Sequence, residues 1–151
     1  MSSGIPVSSN CVDAFTALKA GKSHGYVIMS IHDNKSVELD ESGQSTDKNC
    51  SQADNEKYYN ENVYEKLMAD EQKDPKYVLF DVRRQTKDGD RTDIVLINWC
   101  PDECTDSKKK MTQSSTFNNV KLKMTEAKKA IQANDADELS YKSILEEFHK
   151  K

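Results

Sequence analysis

Apolar residues recur along this 151-residue chain at two spacings, and those spacings predict its elements. Cys11, Phe15 and Leu18 stand at i, i+4 and i+7, one face of a helix over 10–20 with Asn10 as N-cap and Gly21 as stop. Tyr26 to Ile31 is a strand; Asp33-Asn34-Lys35 turns it into a second strand over 36–40, with Val37 and Leu39 pointing inward. Tyr59, Val63 and Leu67 at i, i+4 and i+8 predict a helix from about Glu56 to Asp70. Tyr77 to Val82 and the near-continuous run Ile94 to Trp99 are strands, the latter buried on both faces. A Lys87-Asp88-Gly89-Asp90 turn between them signals a hairpin that projects beyond the core. Phe117, Val120 and Met124 form the inward stripe of a helix capped by Asp106 or Ser107. Asn118-Asn119 weakens its propensity, so packing must hold it. Ala130-Ile131 marks a short edge strand within 128–133. Tyr141, Ile144, Leu145 and Phe148 at i, i+3, i+4 and i+7 close the chain with a clear amphipathic helix.

The order is helix, strand, strand, helix, strand, strand, helix, short strand, helix. Two hairpins with helices between them give a mixed α/β fold, a single domain with a central mixed sheet of about five strands covered on both faces. Residues 1–8 read as a flexible tail. Residues 41–62, rich in Ser, Asp, Asn, Gln and Lys, read as a mobile loop insertion.

Composition narrows the function classes. With 35% hydrophobic and 32% charged residues the chain is polar but can still fill one core. A net charge of -4 disfavours nucleic acid as a partner, so a basic site must be a local patch. No apolar run nears the roughly 20 residues of a membrane span and no signal-peptide pattern opens the chain, which predicts a soluble cytoplasmic protein. Cys11, Cys50, Cys100 and Cys104 have no zinc spacing and no histidine close to the last pair, so free thiols are expected. His24, His32 and His149 are scattered and no Gly-rich phosphate loop is present. The expectation is binding rather than catalysis, with no cofactor or metal.

One feature stands out from this background. The strand ending at Trp99 is followed by Cys100-Pro101-Asp102, a short loop, three consecutive lysines (Lys108, Lys109, Lys110), then Met111. Lysines in a helix's first turn oppose its dipole by a few tenths of a kcal/mol each. Helix stability alone does not account for them.

Taken in order, Trp99-x-Pro101-Asp102, the basic run with Met111 and Ser114-Ser115-Thr116 resemble the signature of the ADF/cofilin family of actin-binding proteins. That family has an aromatic-x-Pro-Asp strand end, a basic-x-Lys-Met helix start and an Ala-Ser-Ser stretch. The match needs one extra residue in the loop after Asp102. Phe15-Thr16-Ala17-Leu18-Lys19 is similar to the family's first helix, and Ser140-Tyr141-Lys142-Ser143-Ile144-Leu145-Glu146 to the last helix of fungal cofilins. The resemblance implies an ADF-homology domain across 1–151, apart from the insertion after Glu41.

The resemblance also implies partners and sites. Ser3, Gly4 and Ile5 of the tail, with Lys108, Lys109, Lys110 and Met111, would engage an actin monomer, in the family preferentially ADP-actin. Ser3 occupies the family's phosphorylation site, where roughly -1.5 to -2 charges would act as an off-switch. The projecting hairpin (Arg83, Arg84, Arg91 and Asp93) and the last helix (Glu146, Glu147 and Lys150) would meet the actin filament. Asp93 and Glu147 stand where basic residues are common, so monomer binding is expected to be kept and depolymerisation and severing weakened. Phosphoinositide lipids are a further implied partner of the lysines. The protein is expected to act as a monomer in the cytoplasm and on the cytoskeleton, not as an enzyme. The alternative is a filament side-binder of the coactosin type, and the tail and lysines speak against it.

Overall fold

The two apolar runs at 77–82 and 94–99 fold back on each other as neighbouring strands of one five-stranded sheet. The computed structural model describes residues 5–20, 25–32, 35–44, 52–70, 73–87, 89–125 and 127–149. The strands are β1 (Gly25–His32), β2 (Ser36–Gln44), β3 (Lys76–Thr86), β4 (Gly89–Trp99) and β5 (Lys129–Ala133). Their order across the sheet is β2-β1-β3-β4-β5. All neighbours are antiparallel except β4 and β5. The helices are α1 (Ser9–Ala20), α2 (Gln52–Tyr59), α3 (Glu65–Ala69), α4 (Ser107–Lys123), α5 (Ala136–Leu139) and α6 (Tyr141–His149). A parallel pair needs a crossover, and here α4 supplies it.

Strand alternation sorts the core into two layers. Tyr26, Ile28, Val78, Phe80, Val82, Val95, Ile97 and Trp99 face one side, packed with Tyr59, Val63 and Leu67 and with Leu139, Tyr141 and Ile144 of α5 and α6. Val27, Met29, Tyr77, Leu79 and Leu96 face the other, covered by Cys11, Phe15 and Leu18 of α1 and Val120 and Met124 of α4. The sheet expected to be covered on both faces is so covered, and the continuous apolar run in β4 follows directly from that burial. Gly89, with φ of 112°, turns β3 into β4 in a backbone region that suits only glycine readily.

Several boundaries differ from expectation, each for a local reason. Helix α1 starts one residue early: the carbonyl of Ser8 accepts from Cys11 N at 3.2 Å. Asn10 therefore lies inside the helix, and its Oδ1 accepts from Leu39 N of β2 at 3.3 Å instead of capping. The expected loose tail is tied from its fifth residue. Ser8 N donates to Val37 O at 3.0 Å and Val37 N to Pro6 O at 2.9 Å, forming a bridge between Val7 and Val37. The expected loop insertion over 41–62 is partly regular structure, since β2 continues to Gln44 and α2 begins at Gln52; residues 45–51 lie outside the described set. Strand β2 also carries a bulge opposite Ile28 and Met29, where the unpaired Asp40 bonds to Lys76 Nζ at 2.9 Å and His32 Nε2 at 2.8 Å. A side chain displaced from the ladder is free to make such links.

The helix expected over 56–70 is interrupted by one π turn, Asn60–Tyr64. Asn55, Tyr59, Val63 and Leu67, all buried, are spaced by four residues, and each such step over-rotates by about 40° in an ideal α-helix. The wider π turn takes up that drift and keeps all four on the sheet. The short helix α5 has no periodic signature in the sequence, yet Leu139 is fully buried. Strand β5 lies at the sheet's edge as expected.

Candidate functional site

Helix α4 concentrates positive charge. Across Ser107–Lys123 it has five lysines and no acidic residue, so the remainder of the chain holds -9 against its total of -4. The N-terminal lysines are made tolerable by Asp106. Its Oδ1 accepts from Lys108 N at 3.1 Å and Lys109 N at 3.2 Å. An anionic cap satisfies two orphan amides and sets a negative charge against the dipole and the lysines alike. Of the two caps the sequence allowed, Asp106 is the one used.

The three lysines are not equivalent. Lys109 Nζ lies 2.8 Å from Asp74 Oδ1, and this hydrogen bond raises the ammonium pKa above its ordinary value. Lys108 is exposed and Lys110 half-buried, and neither forms an ion pair among the described residues. Met111 is 74% exposed, and Ser107, Lys110, Ser114 and Ser115 surround it on an open surface. A second large apolar side chain, Leu122, is 66% exposed near the other end of the same helix. Between the start of α4 and β3 lies a cleft of about 210 Å³, rimmed by Lys76, Lys108 and Lys109 but also by Asp74 and Asp106. Mixed charge makes it a poor anion pocket. The outer face of α4 is the stronger candidate.

That face is held rigidly from beneath. Gln113, buried on the inner stripe, donates through Nε2 to Lys76 O at 3.0 Å and Asn98 Oδ1 at 2.9 Å. The Tyr77 hydroxyl donates to Gln113 O at 2.5 Å, and its ring stacks on Phe117 with centroids 6.1 Å apart. Sequence reasoning missed Gln113. The signal was a glutamine continuing the stripe of Phe117, Val120 and Met124 one turn toward the N-terminus, where a polar residue implies a buried hydrogen bond.

The tail root meets the same helix, since Asn119 Nδ2 donates to Ile5 O at 3.5 Å. Ile5 thus lies against α4; Ser3 and Gly4 lie outside the described residues. On the hairpin, Arg83 and Asp93 are half-buried, while the side chains of Arg84 and Arg91 lie outside the described set. On α6, Glu146 is exposed and Glu147 half-buried; Lys150 is outside the described set. Hairpin and last helix adjoin, with Tyr141 Oη 3.1 Å from Arg83 O. Those expected residues that are described therefore fall on two surfaces, α4 with the tail root and the hairpin base with α6.

Cys11, Cys100 and Cys104 are buried free thiols. Burial raises the Cys100 pKa above its ordinary value, which leaves little thiolate for nucleophilic chemistry. Among the described residues no helix is long and apolar enough to cross a membrane.

The family model described as cofilin/tropomyosin-type actin-binding protein matches residues 4–149. The chain belongs to this family. Cofilin of Schizosaccharomyces pombe is 32% identical over 150 residues, covering 99% of this chain and 98% of the relative. Actophorin of Acanthamoeba castellanii is also 32% identical, covering 98% and 97%. Among solved structures, the ADF-like UNC-60A protein of Caenorhabditis elegans superposes with a TM-score of 0.76 at 25% identity, covering 98% of this chain and 96% of that one. These relatives match the ADF-homology fold expected from the sequence and its five-stranded mixed sheet.

Proposed function

We propose that this protein binds actin monomers through the tail and the outer face of α4, favours ADP-actin, slows nucleotide exchange on it, and depolymerises and severs filaments weakly. The observation that carries the reading is the acid-free α4 surface, where Met111 is exposed beside Lys108 and Lys110. An apolar anchor beside positive charge suits an acidic partner with a hydrophobic cleft. A binder that favours one nucleotide state shifts actin toward it by its differential affinity.

The filament side is weaker on electrostatic grounds. Asp93 on the hairpin and Glu146 and Glu147 on α6 put negative charge on the second surface, and reversing a rim charge costs mainly association rate. Ser3 is the proposed phosphorylation switch. The α4 lysines are a proposed phosphoinositide contact that would compete with actin.

The test is a paired assay on purified protein. One arm follows nucleotide exchange on ADP-actin monomers, and the other images single filaments for cutting. Slowed exchange with sparse cutting, raised by the double change Asp93→Arg and Glu147→Lys, is expected. Filament binding with no effect on monomer exchange would instead establish a side-binder of the coactosin type.

A further inference from the structure

Below the hairpin, three elements meet at one buried amide. Asn55 of α2 is fully buried. Its Nδ2 donates to Asp81 O at 3.0 Å, and its Oδ1 accepts from Arg83 N at 3.0 Å. The Tyr141 hydroxyl, on the first residue of α6, lies 2.5 Å from the same Oδ1 and 3.1 Å from Arg83 O. Tyr141 is itself 2% exposed, with its ring centroid 5.8 Å from that of Tyr59.

The place of this cluster in the sheet gives it meaning. Among the described residues, pairing of β3 with β1 runs from Tyr77 to Phe80. Pairing with β4 continues to Thr86. Beyond that stretch, the Asp81 carbonyl and the Arg83 amide take the Asn55 side chain as their partner. The Asn55 carboxamide offers one donor and one acceptor, as a strand residue would, and bonds to both. It extends the ladder by one side chain and ties the hairpin's base to α2. Tyr141 then ties α6 to the same point.

We propose that Asn55 and Tyr141 are positioning residues that lock the β3–β4 hairpin and α6 into a single filament-facing surface. The assignment rests on the filament role proposed above. It is separable from monomer binding because α4 is secured independently, on the opposite layer, by Gln113 and Tyr77. The two surfaces therefore have separate buried supports, and each can be loosened without the other.

Tyr141→Phe is the cleanest test, since it removes one hydroxyl and keeps the ring. Asn55→Ala is the stronger change but strands two backbone groups and can impair folding, so Tyr141→Phe decides. Three readouts are needed: backbone amide hydrogen exchange, filament binding and cutting, and nucleotide exchange on monomers. Loss of this buried hydrogen bond is expected to speed amide exchange at residues 83–89 about tenfold and to lower filament cutting by a similar factor. Exchange in α4 and inhibition of monomer nucleotide exchange should stay within about twofold of wild type. Tyr77→Phe, the control on the other support, should show the reverse pattern. A merely structural role would weaken both activities together as the protein melts lower, and that result overturns the proposal. So does unchanged hairpin exchange in Tyr141→Phe, whatever filaments do. A wild-type protein inert toward filaments overturns the underlying filament reading instead, and it is recognised because hairpin exchange still responds to Tyr141→Phe.

Discussion

Lys109 Nζ sits 2.8 Å from Asp74 Oδ1, so the middle lysine of the three is already occupied within its own chain. Its neighbours Lys108 and Lys110 have their charge available for a partner. Lys108→Ala or Lys110→Ala is expected to weaken monomer binding about tenfold, and Lys109→Ala less than threefold. Asp74→Ala should tighten binding slightly by releasing Lys109, at a stability cost of about 0–1 kcal/mol. Titrations of nucleotide-exchange inhibition measure all four. Equal losses at the three lysines would show that the ion pair opens on binding.

Asp106 accounts for the lysines' tolerance, and its removal tests that account. Asp106→Ala strips the cap from two amides and leaves three positive charges at the positive end of the helix dipole. The expected cost is about 1–2 kcal/mol, a fall in melting temperature of roughly 3–8 °C for a domain of this size. Asp106→Ser should recover most of the loss at low salt, and a calorimetric scan reads both. Recovery by added salt alone would assign the effect to charge rather than to the cap.

Met111, at 74% exposure, has almost no packing to lose. Met111→Ala should therefore leave folding stability within about 0.5 kcal/mol while weakening monomer binding by about tenfold or more, as truncating a buried interface anchor does. Urea unfolding and exchange inhibition, measured on one preparation, separate the two. Undiminished binding would move the anchor elsewhere on α4, with Leu122 the next candidate.

Asp81 gives the protein a pH dependence whose sign can be worked out. The residue is 4% exposed, and its Oδ1 has no hydrogen-bond partner among the described residues. Burial pushes its carboxyl from 3.8 to about 7; Arg83 pulls it down and Asp93 pushes it further up. The folded state holds this proton more tightly than the unfolded chain. The destabilisation is absent below pH 4, grows as pH rises from about 4 to about 7, and is complete above that. Asp81→Asn should therefore be about 2–3 kcal/mol more stabilising at pH 8 than at pH 5. Denaturant unfolding at the two pH values measures it, and equal effects at both would contradict the burial argument.

The sequence was most informative where the burial was regular. The unbroken apolar runs of β1, β3 and β4 and the one-sided stripe of α6 follow from one physical rule, that each face is either wet or dry. Their positions, the two hairpins and the edge strand were legible for that reason. Elements whose buried groups are polar were not. Asn55 and Gln113 are buried, yet in sequence they look like surface residues, because a hydrogen bond to a distant strand leaves no local period. The same blindness widened the loop: Glu41–Gln44 and Gln52–Asn55 are too polar to announce the end of a strand and the start of a helix. At the site, the lysines and Met111 were visible as a run. That Lys109 is engaged by Asp74 depends on a contact across 35 positions, which no local pattern carries.

Because α4 is the crossover joining β4 to β5, it cannot move without dragging two strands of the core. A partner meeting this helix meets a surface whose order was settled when the chain folded. Little configurational freedom remains to be surrendered on docking, so more of each contact's strength is available as affinity. The proposed recognition surface is in this sense a by-product of connectivity: the segment that must exist to make two strands parallel is also one that presents a face outward.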